Sequence, residues 1–135
     1  MRFKLVENIE EQNIVAGDVV FLRKDMPYKN DNTKRLVDSN HQFFVLASDE
    51  QSVLLLMTTT STIRQEKYPE QYVRISGAKR DFFVETDTWG EFSKDYVQRV
   101  SESVSEQDYL SVYNSFLRQG AETDLKLESK NKRKK

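Results

Sequence analysis

The 135-residue chain contains no cysteine, two prolines, four glycines and a single histidine. Without cysteine there is no disulfide, no thiolate metal site and no thiol nucleophile. A small domain lacking such staples is expected in a reducing compartment, here the cytoplasm. With one histidine a helix carrying two histidine ligands cannot form, and no Ser-His-Asp motif stands out, so a zinc protease or a triad hydrolase is not expected. The four glycines are scattered, so no phosphate-cradling glycine loop exists. Long apolar runs are missing too. The longest, Val53 to Met57, is far too short to span a bilayer. The start, Met1-Arg2-Phe3-Lys4-Leu5-Val6-Glu7, is broken by charge before an apolar stretch develops, and no signal peptide is expected.

What is present suits one small globular unit. Hydrophobic residues make up 37 % of the chain, enough for one modest core, so global disorder is not expected. We read residues 1–120 as one domain and 121–135 as a basic tail. The net charge of −1 conceals a segregated distribution. Between 126 and 135 six basic residues face only Glu128. Segment 61–80 holds Arg64, Lys67, Arg74, Lys79 and Arg80 against Glu66 and Glu70, and segment 23–41 is also net basic. Segment 81–108 carries eight acidic residues against Lys94 and Arg99. A polyanion should therefore meet 23–41 and 61–80 and avoid 81–108, unless all three are simply solvated faces.

Along the chain, Ala16-Gly17-Asp18 signals a turn and 18–24 reads as the first secure strand. Residues 25–41 form a long polar loop without apolar period. Phe43 to Ala47 and Ser52 to Thr60 are strands apolar on both faces, joined by a tight turn at 48–51, which suits a sheet covered on both sides or a closed barrel. Residues 61–70 read as another polar loop. Tyr72 to Ile75 alternates as a half-buried strand, Phe82 opens a strand continuing to Gly90, and Tyr96 to Val100 alternates again. The period then changes. Tyr109, Leu110, Tyr113, Phe116 and Leu117 recur at three and four residues, marking one helix face. Ser105-Glu106-Gln107-Asp108 is a capping-box-like start and Gly120 lies at the expected stop, placing the helix at about 106–119. The fold class implied is mainly β with a C-terminal helix (α+β), a small SH3-like barrel with the helix packed on it.

The layout resembles the PemK/MazF family of toxin endoribonucleases. The resemblance rests on Gly17-Asp18-Val19-Val20-Phe21-Leu22 followed by a polar loop, and on Phe43-Phe44-Val45-Leu46-Ala47-Ser48 leading to Val53-Leu54-Leu55-Leu56-Met57-Thr58-Thr59-Thr60. Val100-Ser101 with the capped helix from Ser105 completes it. It covers roughly residues 15–118. It implies a metal-independent endoribonuclease of a toxin–antitoxin pair that needs no cofactor, with single-stranded RNA, a small antitoxin protein and a second copy of the chain as partners. In that family a basic residue before the second strand works with a threonine ending the third. Here the positions correspond to His41 and Thr59, with Thr58 and Thr60 as register alternatives. The family's arginine–proline pair is replaced by His41-Gln42, so either His41 serves as the acid–base group, or Arg35 supplies the charge, or catalysis is lost.

RNA cleavage of this kind activates the ribose 2′-hydroxyl against the adjacent phosphorus. It calls for a proton acceptor, a proton donor for the departing 5′-oxygen, and charge on the phosphate. Histidine titrates near neutrality, threonine donates to phosphate oxygens and arginine donates twice. The candidate catalytic set is thus His41, Thr59 and Arg35, with Lys34, Thr58, Thr60, Arg64 and Lys67 as RNA-binding candidates. Each also has a plain reading: His41 as a surface histidine, the threonines as strand-end residues, the cations as exposed-loop charges. Trp89 and Phe82-Phe83 read as core rather than base-stacking platforms. Asp81, Glu85 and Asp87 form an acidic run with no histidine nearby to complete a metal site. The alternative function is a noncatalytic SH3-like module that binds RNA or a protein partner.

Overall fold

The structure, a computed structural model, describes residues 13–23, 30–31 and 41–119. Lys34 and Arg35, the expected basic tail at 121–135 and the helix-stop Gly120 lie outside the described residues.

The described chain is an antiparallel sheet with one short helix between its strands and a longer helix after them. The strands are β1 (Asp18–Leu22), β2 (Asn30–Asp31), β3 (Gln42–Ser48), β4 (Ser52–Thr59), β5 (Tyr72–Ile75), β6 (Phe82–Glu85), β7 (Gly90–Ser93) and β8 (Val97–Ser103). The helices are α1 (Thr62–Lys67) and α2 (Glu106–Gln119). The path through the sheet is β2-β7-β4-β3-β1-β8, with β6 pairing the far end of β4 and β5 pairing β6. Among the described residues the sheet does not close on itself, so the barrel expected from the strand pattern is left open there.

The side-chain alternation of β1, β3 and β4 explains why these strands are apolar throughout. Val20, Leu22, Phe43, Val45, Val53, Leu55 and Met57 join Phe92 and Val97 in one core cluster. Their alternate neighbours Val19, Phe44, Leu46 and Leu56 face the other way, into a second cluster with Ile75, Phe82, Val84, Val112 and Phe116. Both faces of the central strands are thus buried, and α2 covers the second. The entry turn is held by Asp18, which is buried; one carboxylate oxygen accepts from Val15 N–H at 3.0 Å and the other from Ser103 Oγ at 2.6 Å. Gly17 supplies the left-handed backbone there, with φ of 94°. At the β3–β4 turn the Asp49 carboxylate accepts from Gln51 N–H at 2.8 Å and Ser52 N–H at 2.6 Å.

Four expectations need correction. The polar loop at 61–70 holds α1, started by Ser61, whose hydroxyl accepts from Arg64 N–H. Its residues lack an apolar period because α1 buries none of its side chains. The strand expected from Phe82 to Gly90 is two strands, β6 and β7. The register along β4 changes between Thr58↔Val84 and Leu55↔Gly90, so 86–89 leaves the ladder. There the Thr86 backbone and hydroxyl both donate to the Gln71 carbonyl, at 2.8 and 3.1 Å. The 25–41 segment, read as loop, contributes β2, which pairs Asn30 with Glu91 and Asp31 with Gly90. Finally, the apolar face of α2 is only half used. Val112, Ser115 and Phe116 are buried, whereas Leu110, Tyr113 and Leu117 are exposed. The helix bounds themselves agree, and Ser105 Oγ accepts from Asp108 N–H at 3.1 Å as the capping pattern requires.

Among the described residues, no helix is long and apolar enough to cross a membrane.

Candidate functional site

The central strands β4, β3, β1 and β8 lie side by side, and their ends form the floor of a cleft of about 480 Å³. Thr58, Thr59 and Thr60 come from the end of β4, His41 and Gln42 from the start of β3, and Phe21 from β1. Register explains the gathering: Gln42 is the partner of Phe21, and Phe43 is the partner of Met57, which brings Thr58 beside Gln42. The opposite wall is the loop between β5 and β6, which contributes Lys79, Arg80 and, at its end, Phe82. That loop reaches as far as β8, where a Glu102 carboxylate oxygen accepts from Ala78 N–H at 2.8 Å. This bond bridges the opening that strand pairing leaves.

The three threonines are not equivalent. Thr58 is buried and its hydroxyl donates to the Gln42 carbonyl at 2.8 Å, so its proton is committed inward. The Thr59 hydroxyl accepts from Ser61 N–H at 3.1 Å, which orients the oxygen and leaves its proton to donate. Thr60 is exposed on the rim. Of the register alternatives, Thr59 is therefore the one whose oxygen is held at the cleft while its proton can still donate. His41 is exposed at the same rim.

Arg64 and Lys67, expected to bind the same ligand, sit elsewhere. Both are on α1 and neither lines the cleft. Lys67 Nζ lies over the Tyr68 ring, 5.5 Å from its centre. Arg64 lies beside the Tyr72 hydroxyl, which donates to Oε2 of the buried Glu85 at 3.3 Å. Burial raises the Tyr72 pKa above the ordinary tyrosine value, the Glu85 carboxylate adds to the rise, and Arg64 opposes it. The α1 cation thus serves a polar cluster between α1 and β6.

The cations that do line the cleft are Lys79 and Arg80, counted in the basic segment but not singled out from it. The available signal was a tight turn at Gly77 between two alternating segments, which marks a hairpin loop. The acidic segment 81–108 does not stay clear of the cleft, since Glu102 lines it. Phe82 and Phe83 are core residues as expected, at 5 % and 8 % exposure, although Phe82 also reaches the cleft wall. Trp89 packs against the second core cluster. Asp81 pairs with Arg74, its oxygen taking the Arg74 Nε–H at 3.0 Å. Among the described residues, no three acidic, histidine or cysteine side chains lie together as a metal-binding group.

No protein-family model matches the chain, and a comparison with curated protein sequences finds no match.

Proposed function

We propose that the cleft binds the backbone of single-stranded RNA and cleaves it by 2′-hydroxyl attack. The observation that carries this reading is the meeting, in one concave site, of His41 and Thr59 with Lys79 and Arg80 from a different part of the chain. A proton acceptor, a hydroxyl donor and two cations are the groups that a phosphodiester cleavage needs. In this scheme His41 takes the proton from the 2′-hydroxyl as that oxygen attacks phosphorus. The bond to the 5′-oxygen breaks, leaving a cyclic phosphate, and the departing oxygen takes a proton from solvent. Thr59 donates to a non-bridging oxygen while Lys79 and Arg80 offset the charge that builds there. Among the described residues, Lys79 and Arg80 supply the charge that Arg64 was expected to bring.

The sequence resemblance to PemK/MazF-like toxins points the same way and adds a homodimer and a small antitoxin protein as proposed partners. A second reading, a noncatalytic module, draws on the position of Arg64, which sits on α1 and does not line the cleft as expected of it. Mixed-sequence single-stranded RNA incubated with the protein and a chelator separates the two. Discrete cuts that disappear in His41→Ala and Thr59→Ala, with RNA binding retained, are expected. Intact RNA at high protein concentration, with binding unaffected by either substitution, would replace the nuclease by the binding module.

A further inference from the structure

We infer that Phe21 and Glu102 form a nucleobase subsite beside the phosphate-binding residues, and that it selects guanine. The inference rests on the nucleic-acid reading of the cleft. A carboxylate is out of place in a site that only grips phosphate, yet Glu102 lines the same cleft as the threonines. It is partly buried and held in position, with one oxygen accepting from Ala78 N–H at 2.8 Å. An ionised carboxylate has about four acceptor positions, so one such bond leaves both oxygens able to accept from a ligand. Guanine alone among the four RNA bases offers two adjacent N–H donors on its Watson–Crick edge. Adenine and cytosine place an acceptor beside their amino group, and uracil flanks its single N–H with two carbonyl oxygens that a carboxylate repels. Single-stranded RNA exposes this edge for reading.

Phe21 supplies the platform. Its ring is half-buried and lines the cleft, and the guanidinium carbon of Arg99 lies over it, 4.4 Å from the ring centre. A half-buried ring loses little freedom when a base stacks on it. Spacing supports the division of labour. Phe21 is two strands from Thr59 and one from Glu102, in the order β4-β3-β1-β8. At ~4.8 Å per strand β4 and β8 stand roughly 14 Å apart across the sheet, and Glu102, the partner of Val19, lies diagonally from Phe21. The strand separation is about the reach of one nucleotide from its phosphate to the far edge of a purine. Phosphate at Thr59, Lys79 and Arg80 therefore leaves the base over Phe21 with its edge at Glu102.

The test is binding of the four ribonucleoside 3′-monophosphates, and of inorganic phosphate, to the full chain by titration calorimetry. The expected result is 3′-GMP tightest by roughly tenfold, the discrimination a good bidentate pair gives. Glu102→Gln keeps an acceptor for Ala78 N–H but presents an amide donor, and it should abolish the guanine preference while phosphate binding stays the same or tightens. Phe21→Ala should weaken all four nucleotides by a similar factor and leave phosphate unchanged. Equal binding of all four nucleotides, with or without Glu102→Gln, would overturn the subsite and leave the phosphate site standing. No binding of either phosphate or nucleotides would sink the cleft reading itself, and the subsite with it.

Discussion

Phe116 and Leu117 are neighbours on the same apolar stretch of α2, and the packing of the helix predicts very different costs for truncating them. Phe116 is 7 % exposed and joins Val19, Phe44, Leu56 and Val112 in the core beneath the helix, whereas Leu117 is 39 % exposed. Phe116→Ala removes most of a buried ring and leaves a cavity among residues held by the sheet, a loss of about 3–5 kcal/mol. Leu117→Ala removes a side chain already largely in water and should cost under about 1 kcal/mol. For a unit of this size, the first loss corresponds to a fall in Tm of roughly 10–20 °C and the second to a few degrees at most. Urea and thermal denaturation followed by circular dichroism measure both, and the slope against urea should be the same for each variant. Leu117→Ala as damaging as Phe116→Ala would refute the packing of α2, because the two residues would then be equally buried.

Other consequences follow from the cleft and its surroundings. Lys79→Ala and Arg80→Ala should each weaken single-stranded RNA binding and lower the slope of log affinity against log salt by about 0.7, while Arg64→Ala leaves that slope unchanged; fluorescence titrations at several salt concentrations decide this. A Cβ at Gly77 would run into the Arg80 carbonyl oxygen and sit 3.0 Å from the Phe82 ring, so Gly77→Ala should displace the loop at a cost of about 1–3 kcal/mol and weaken RNA binding in parallel. Burial raises the pKa values of Tyr72 and Tyr109, with Glu85 and Tyr113 respectively adding to the rise. Folding thus favours the protonated phenols. That stability is fully present below the unfolded tyrosine pKa of about 10 and is lost as pH rises through the higher folded values. The Tm of the native chain should accordingly fall above about pH 10, and Tyr72→Phe with Tyr109→Phe should flatten the fall; an unchanged slope would contradict the assignment.

The parts of the fold legible in the sequence are those encoded over a few neighbouring residues. Strands β1, β3, β4 and β5 appear as alternating or continuous apolar runs, and α2 appears as a period of three and four behind Ser105. Helix α1 escaped because it buries nothing and so carries no period; only its Ser61 cap marked it. The break between β6 and β7 escaped because Thr86 and Thr88, both buried, still look like strand residues, although 86–89 stands off the ladder. In the candidate site, His41 and Thr58–Thr60 were reachable because they sit at the ends of recognisable strands. Phe21, Lys79, Arg80 and Glu102 were not, since they are up to 81 positions apart and meet only through the sheet.

The sequence by itself determined the kind of molecule: a cysteine-free, mainly β chain with two-sided apolar strands and a capped terminal helix. Side-chain period and capping are local properties, set by backbone geometry within one or two turns or a few strand residues. Tertiary structure alone decided that the described strands leave the sheet open, which half of the α2 face meets the core, and which charges share a cleft. Each of those depends on the register between distant strands, and register is chosen by the packing of whole faces rather than by any one segment.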